Sequence, residues 1–346
     1  MVLAAGEGTR MRPLTFTRPK VLVPAAGETL LDHVFRRLAV AGVDEALLVT
    51  MYLPEQVEAW AEGADRYGID ISITRQSRER YGTGAATLTA KQWVGDEPFL
   101  MTFGDVLAGE TNFPTLVGMH RKNPDATIVT AYRQELVRGG VVLAEEGRLV
   151  ALDEHPDQPV PNGLINAGMY LLQPHVFDRL SRVKPSQKGE YELTDVLGDM
   201  GRESDKPLVM EVEDYWVNVS GAPDVLAVQS LILGEWRQAA DGDGLFVDES
   251  AEVSERAVLR APIRIAAGTR IGAATIGPNV AIGEGAVVGD GAALEDCALL
   301  ENSHVGTDCH IRYAMLGAGS RVADRARLWG EVDRTSVLAD KETHGV

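Results

Sequence analysis

Between Val247 and Leu328 an aliphatic residue returns at a step of six, with three steps of five. Val247, Val253, Leu259, Ile265 and Ile271 open the series, and Leu316, Val322 and Leu328 end it. A period of six fits neither the 3.6 of a helix nor the alternation of a plain strand. It fits a solenoid whose flat faces each turn one aliphatic side chain inward, with glycine and small residues between them. At three hexads per coil the stretch makes about four to five coils. The run Asp241-Gly242-Asp243-Gly244 just before it reads as a linker, which gives two domains, residues 1–240 and 245–346.

The first ~235 residues follow a different rule. Apolar strands are expected at Val2–Ala5, Ala46–Thr50, Ile71–Thr74, Phe99–Phe103 and Thr127–Ala131, with helical patterns between them, as in Leu30-Leu31-x-x-Val34-Phe35-x-x-Leu38. Alternating strands and helices imply a mostly parallel, three-layer α/β sheet with ligands at the strand C-termini. From Val141 the pattern becomes hairpin-like, with strands Val141–Glu145 and Arg148–Glu154 about a Glu146-Gly147 turn. A strand Ala167–Leu172, a helix after Glu190 and a long helix Ala222–Ala239 complete the domain.

The chain carries a formal charge of −18, which argues against nucleic acid or an anionic membrane as partner. No apolar run approaches the ~20 residues needed to cross a bilayer and no export signal is evident, so a cytoplasmic protein is expected. Two cysteines, Cys297 and Cys309, support neither a disulfide framework nor a thiolate metal site.

The chemistry is concentrated at the N-terminus. Val2–Ala5 runs into Gly6 and Gly8, followed by Thr9, Arg10 and, ten residues later, Lys20. A buried strand that ends in glycines lets the backbone approach a ligand and present successive amides. A guanidinium fork and a point-charge ammonium beside that loop describe a polyphosphate site. Arginine outnumbers lysine 26 to 7, which makes Lys20 stand out. Met11 occupies the place of the third glycine of a dinucleotide fingerprint, and no Gly-Lys-Ser/Thr follows, so neither that motif nor a Walker loop is present.

The segment Gly6-Glu7-Gly8-Thr9-Arg10-Met11-Arg12-Pro13-Leu14-Thr15, with Pro19-Lys20, closely resembles the signature loop of sugar-1-phosphate nucleotidyltransferases. Ile282-Gly-Glu-Gly-Ala and Val288-Gly-Asp-Gly-Ala are similar to the hexapeptide repeat of left-handed parallel β-helices. Together they resemble the long form of that family over nearly the whole chain: a three-layer Rossmann-like nucleotidyltransferase domain followed by a left-handed β-helix.

The resemblance implies roles for individual residues. Leu3, Ala4, Ala5, Gly6, Gly8 and Thr9 would wrap the nucleotide phosphates, Arg10 would neutralise the departing pyrophosphate, and Lys20 would bind the α-phosphate or the sugar phosphate. Asp105, in Phe103-Gly104-Asp105, corresponds to the catalytic Mg²⁺ ligand. Gly82 and Thr83, in Gly82-Thr83-Gly84-Ala85-Ala86, resemble the loop that reads the nucleobase, with Gln76 a further candidate. Gly140, Glu154 and Asn166 fall in segments that contact the sugar. His155 stands where the family usually has lysine, which makes that phosphate contact weaker and pH-sensitive.

The second metal ligand of the family is an aspartate in Trp-x-Asp. Here the segment reads Trp216-Val217-Asn218, and an amide oxygen brings no charge to a hard cation. Asp214 or Asp224 could compensate, Asp105 and the substrate phosphates could hold the metal, or catalysis could be weakened.

What the family implies for function is transfer of a nucleoside monophosphate from a triphosphate to a sugar 1-phosphate, with Mg²⁺ as cofactor and a lean toward dTTP or UTP with glucose 1-phosphate. The alternatives are a GTP-dependent mannose- or cyclitol-1-phosphate guanylyltransferase and a non-catalytic regulatory relative. Acetyl transfer by the solenoid, through His304 or His310, is a further alternative; packing of coils in a homo-oligomer is the expected role.

Overall fold

The computed structural model describes residues 1–154, 156–186, 189–204, 206–240 and 242–345. The chain forms two compact units. One joins Met1–Gly6 to Leu31–Asn218; the other joins Glu7–Leu30 to the chain from Val219 onward.

The first unit is built on a nine-stranded sheet. Its strands are β1 (Val2–Ala4), β2 (Glu45–Thr50), β3 (Asp70–Arg75), β4 (Phe99–Phe103), β5 (Ile128–Val137), β6 (Val141–Glu145), β7 (Arg148–Asp153), β8 (Val160–Leu172) and β9 (Leu208–Glu211). The order is β3-β2-β1-β4-β8-β5-β9-β7-β6. The first four strands are parallel, as the alternation predicts, whereas β8 runs antiparallel to both β4 and β5. The sheet is therefore mixed rather than mostly parallel, because the hairpin-forming stretch after Val137 adds its strands to the same sheet.

In β2, Leu47, Leu48 and Val49 are all buried. Side chains alternate between faces along a strand, so burial of all three means that both faces are covered. One covered face gathers Leu3, Leu47, Val49, Met101, Tyr170 and Phe177 into a continuous core. Phe99 and Phe177 stack there with ring centroids 5.3 Å apart.

Strand β1 lies between β2 and β4, with Leu3 opposite Val49 on one side and Phe103 on the other. The Gly104 amide then donates to the Leu3 carbonyl at 2.8 Å. Ala5-Gly6 and Gly104-Asp105 thus leave the sheet together at the C-terminal ends of β1 and β4.

The second unit is a solenoid of parallel strands. One face stacks Leu245–Val247, Ile263–Ile265, Val280–Ile282, the Cys297–Leu299 part of Ala293–Leu299, the Ala314–Leu316 part of His310–Leu316, and Ser336–Leu338. That is six layers, not the four to five coils expected from the repeat. The periodic series stops at Leu328, residues 330–335 interrupt it, and Ser336–Leu338 resumes the stack on a sixth coil. From Ile263 onward the inward aliphatics form one buried column, which also holds the thiols of Cys297 and Cys309.

Corner carboxylates brace one coil to the next: Asp290 accepts from the Ala273 amide, Asp324 from Thr307 and Asp340 from Ala318, at 2.7, 2.7 and 2.8 Å. The helix Ala222–Ala239 seats on the solenoid through the buried Gln229, whose Nε2 donates to the carbonyls of Asn279 and Cys297, both at 2.9 Å. Among the described residues no helix is long and apolar enough to cross a membrane.

Candidate active site

Asp105 lies directly before the short strand Val106–Ala108, which pairs antiparallel with Trp216–Asn218. The register sets Asn218 opposite Val106. Asp105 is half-buried and Asn218 exposed, and the pairing sets the two residues one register position apart. Three side chains fix this ribbon. The buried Arg37 donates from Nε to the Ala108 carbonyl at 2.8 Å and from Nη2 to the Tyr215 hydroxyl at 2.6 Å. Asn112 bridges the Gly109 and Glu213 carbonyls and accepts from the Glu213 amide. Trp216 Nε1 donates to the Ala167 carbonyl at 2.8 Å.

Ala167 belongs to an irregularity in β8, where the register against β5 shifts between Asn166 and Tyr170. The turn-out is made at Gly168, whose φ is +72° and whose added Cβ would stand 2.5 Å from the Phe103 ring. A side chain has no room there. The shift presents Asn166, whose amide group lies within hydrogen-bond reach of the Tyr170 hydroxyl. The Asn166 backbone amide donates to the Gly140 carbonyl at 2.7 Å. Glu154 Oε2 would be 3.8 Å from a Cβ at Gly140. Gly140, Glu154 and Asn166, far apart in sequence, therefore share one place. His155 lies outside the described residues.

The Gly82 loop is fixed by a separate set of bonds. Gln76 is buried, and its Nε2 donates to the carbonyls of Gly82 and Arg80 at 3.1 and 3.3 Å. Its amide thus holds the loop from below. The Thr83 hydroxyl donates to Glu192 at 3.1 Å and accepts from the Leu193 amide at 2.9 Å. Half-burial, the neighbouring Glu190 carboxylate and the charge of Glu154 push the Glu192 carboxyl up to about 7, while the Thr83 hydrogen bond pulls it the other way.

The sequence marked a helix after Glu190, not Glu192 as a member of the site. The signal available was Glu192's place immediately before a helix, but its proximity to Thr83 is a tertiary fact. Arg37 was missed for a related reason, since its helix reads as an ordinary amphipathic one.

In the second unit the loop tightens at once into a turn of 3-10 helix, Thr9–Met11, entered through Gly8 at φ +63°. Its bonds use the amides of Met11 and Arg12, which donate to the Gly8 and Thr9 carbonyls. The first amides of any helical turn lack partners within it and are available to an anion. The Gly8 carbonyl also accepts from the Thr15 hydroxyl at 2.8 Å. A Cβ on Gly8 would stand 2.8 Å from the Lys20 Cβ, so the glycine lets the lysine stem pack against the loop. Thr9 and Arg10 are exposed and Lys20 is half-buried.

Asp224, raised as a compensating ligand, accepts from the amides of Ser220 and Gly221 at 2.7 and 2.9 Å, and so caps its helix. Asp214 packs on Gly109 with φ +64°. His304 and His310 stand on different faces of the solenoid and do not form one site. Among the described residues no three His, Cys, Asp or Glu side chains are grouped to hold a metal. The donors present, one carboxylate and one amide oxygen, are the hard oxygen ligands that Mg²⁺ takes when phosphates and water complete its shell.

Residues 1–233 match the family model described as nucleotidyl transferase, and residues 243–343 match the one described as GMPPB C-terminal domain. The chain is 31% identical over 268 residues to a bifunctional protein GlmU of Methanocaldococcus jannaschii, a match spanning 78% of this chain and 60% of that protein. It is also 31% identical over 268 residues to a glucose-1-phosphate thymidylyltransferase of Streptomyces antibioticus, spanning 77% and 74%. A solved UDP-glucose pyrophosphorylase in complex with UDP-glucose shares the fold of 68% of this chain and 97% of its own, at a TM-score of 0.59 and 23% identity.

Proposed function

This chain belongs to the nucleotidyl transferase family, and from that premise we propose that it couples a nucleoside triphosphate to a sugar 1-phosphate. A phosphate oxygen of the sugar 1-phosphate attacks the α-phosphorus in line. The new P–O bond forms as the bond to the β-phosphate oxygen breaks, and pyrophosphate leaves with that electron pair. The observation that carries this reading is that Ala5-Gly6 and Gly104-Asp105 leave neighbouring strands at the same end, with Trp216–Asn218 paired to the strand that begins just after Asp105.

Both reactants are anionic, so the protein's task is to hold them together and neutralise charge. The amides of the Leu3–Thr9 segment cradle phosphates, Arg10 takes the developing pyrophosphate charge, and Lys20 takes the α-phosphate or sugar phosphate. Gly82 and Thr83 form the base side, with Gln76 fixing their loop. Gly140, Glu154 and Asn166 form the sugar side. Asp105 and Asn218 would hold Mg²⁺, which when bound offsets charge on the phosphates.

Names borne by relatives, thymidylyltransferase and UDP-glucose pyrophosphorylase, support dTTP or UTP with glucose 1-phosphate. The test is pyrophosphate release across five nucleoside triphosphates and several sugar 1-phosphates, with the parent beside Asn218→Asp. Release from one pair is expected. Silence from both proteins in every combination overturns the proposal in favour of a regulatory role.

A further inference from the structure

Lys20 is reached through Thr17-Arg18-Pro19, and this short arm is gripped by the end of the solenoid. Arg18 Nη2 lies 3.1 Å from Asp340 Oδ2 and 3.3 Å from Glu301 Oε1. The Thr17 hydroxyl donates to the same Asp340 oxygen at 2.6 Å. The Arg18 and Asp340 side chains are each only 14% exposed. A pair so shielded from water is screened far less than a surface ion pair, and guanidinium geometry suits two acceptors.

The two carboxylates occupy one corner column. Leu299, Leu316 and Leu338 are in register across three coils. The residues two places beyond them are Glu301, Ala318 and Asp340. The small side chain of Ala318 lets one guanidinium reach both acids across the coil between. Asp340 faces two ways: Oδ1 accepts from the Ala318 amide at 2.8 Å, while Oδ2 takes the arm. Asp324 makes the same coil brace, to Thr307, without any arm to hold.

Between Arg18 and Lys20 stands only Pro19, extended at φ −60° and ψ 146°. A proline has no freedom in φ, so the anchor and the lysine are joined by a stiff link. The other side of the lysine stem is closed by Gly8.

We propose that Asp340, assisted by Glu301, is a positioning residue for Lys20, acting through Arg18 and Thr17, so that the last coil of the solenoid sets the activity of the phosphate-binding arm. This rests on Lys20 contacting a substrate phosphate.

The test is steady-state kinetics on the full chain, with thermal unfolding of each variant alongside. Arg18→Met and Asp340→Asn are each expected to lower kcat/KM about tenfold, and the double variant no further, as for residues acting as one unit. Asp324→Asn, which loses only a coil brace, is expected to keep parental kinetics. Exchange of the pair, Arg18→Asp with Asp340→Arg, is expected to recover activity relative to either single reversal. Parental kinetics for Arg18→Met and Asp340→Asn, with Lys20→Ala inactive, overturn the proposal while the assignment of Lys20 stands. Full turnover by Lys20→Ala overturns that assignment and the proposal with it. Equal losses in Asp340→Asn and Asp324→Asn, tracking unfolding temperature, also overturn it.

Discussion

Asn218 sits across from Val106, one residue from Asp105, on a ribbon only three residues long. To the proposed Mg²⁺ site Asn218 brings an uncharged amide, where an aspartate would bring a second negative charge. Replacing Asn218 by aspartate is expected to lower the Mg²⁺ concentration for half-maximal pyrophosphate release by about tenfold, the scale of one added charge contact at a partly solvated site. A Mg²⁺ titration of both proteins checks this, and an unchanged midpoint refutes it.

Lys20 and Asp105 are expected to lose roughly 10²–10³ in kcat as alanine variants, the effect of removing one preorganised electrostatic contact. Near-parental turnover in either would remove that residue from the site.

Arg37 ties both strands of the ribbon from beneath, at Ala108 and Tyr215. Arg37→Met leaves the buried Ala108 carbonyl and the half-buried Tyr215 hydroxyl without a charged donor and is expected to cost about 2–3 kcal/mol. It is also expected to lower kcat more than KM, since the ribbon carries Asp105 and Asn218. Urea unfolding with steady-state kinetics separates the two effects.

Gln229 is the buried amide that seats the long helix on the solenoid. Gln229→Leu leaves the carbonyls of Asn279 and Cys297 without this donor, and a loss of about 1–3 kcal/mol is expected. Chemical denaturation against the parent measures it.

Glu192, raised to about 7 by burial and by Glu190, holds a proton in the folded state that the unfolded chain releases near 4.5. The folded state then binds more protons across that window, so this group's stabilisation is complete below about 4.5 and is lost as pH rises toward 7. Glu192→Gln is expected to flatten the fall in stability between those limits. Denaturation midpoints of the two proteins from pH 4 to 8 give the comparison, and parallel curves refute it.

Local pattern exposed much of this protein. The helix Ala222–Ala239 and the strand Phe99–Phe103 fall at the ends their apolar spacing implies, because each answers to its own periodicity. The Glu146-Gly147 turn is likewise local, with φ +48° and +73°. The sixth coil escaped because residues 330–335 break the period before Ser336 restores it. In the candidate site, Gly82 and Thr83 announce themselves as a glycine-rich helix start, whereas Glu192 is linked to them only across 109 residues of chain.

By itself the sequence determined the two kinds of architecture and the glycine-rich turn with its nearby cations, since backbone freedom, side-chain chemistry and hydrophobic period are properties of short segments. Tertiary structure alone decided that Gln76 supports its loop, that Asp224 caps a helix, that Arg37 underpins the ribbon and that Asp340 reaches Arg18. Those roles depend on which polar groups become neighbours once burial has removed their water, and an unsatisfied group in that setting is too costly to leave unpaired.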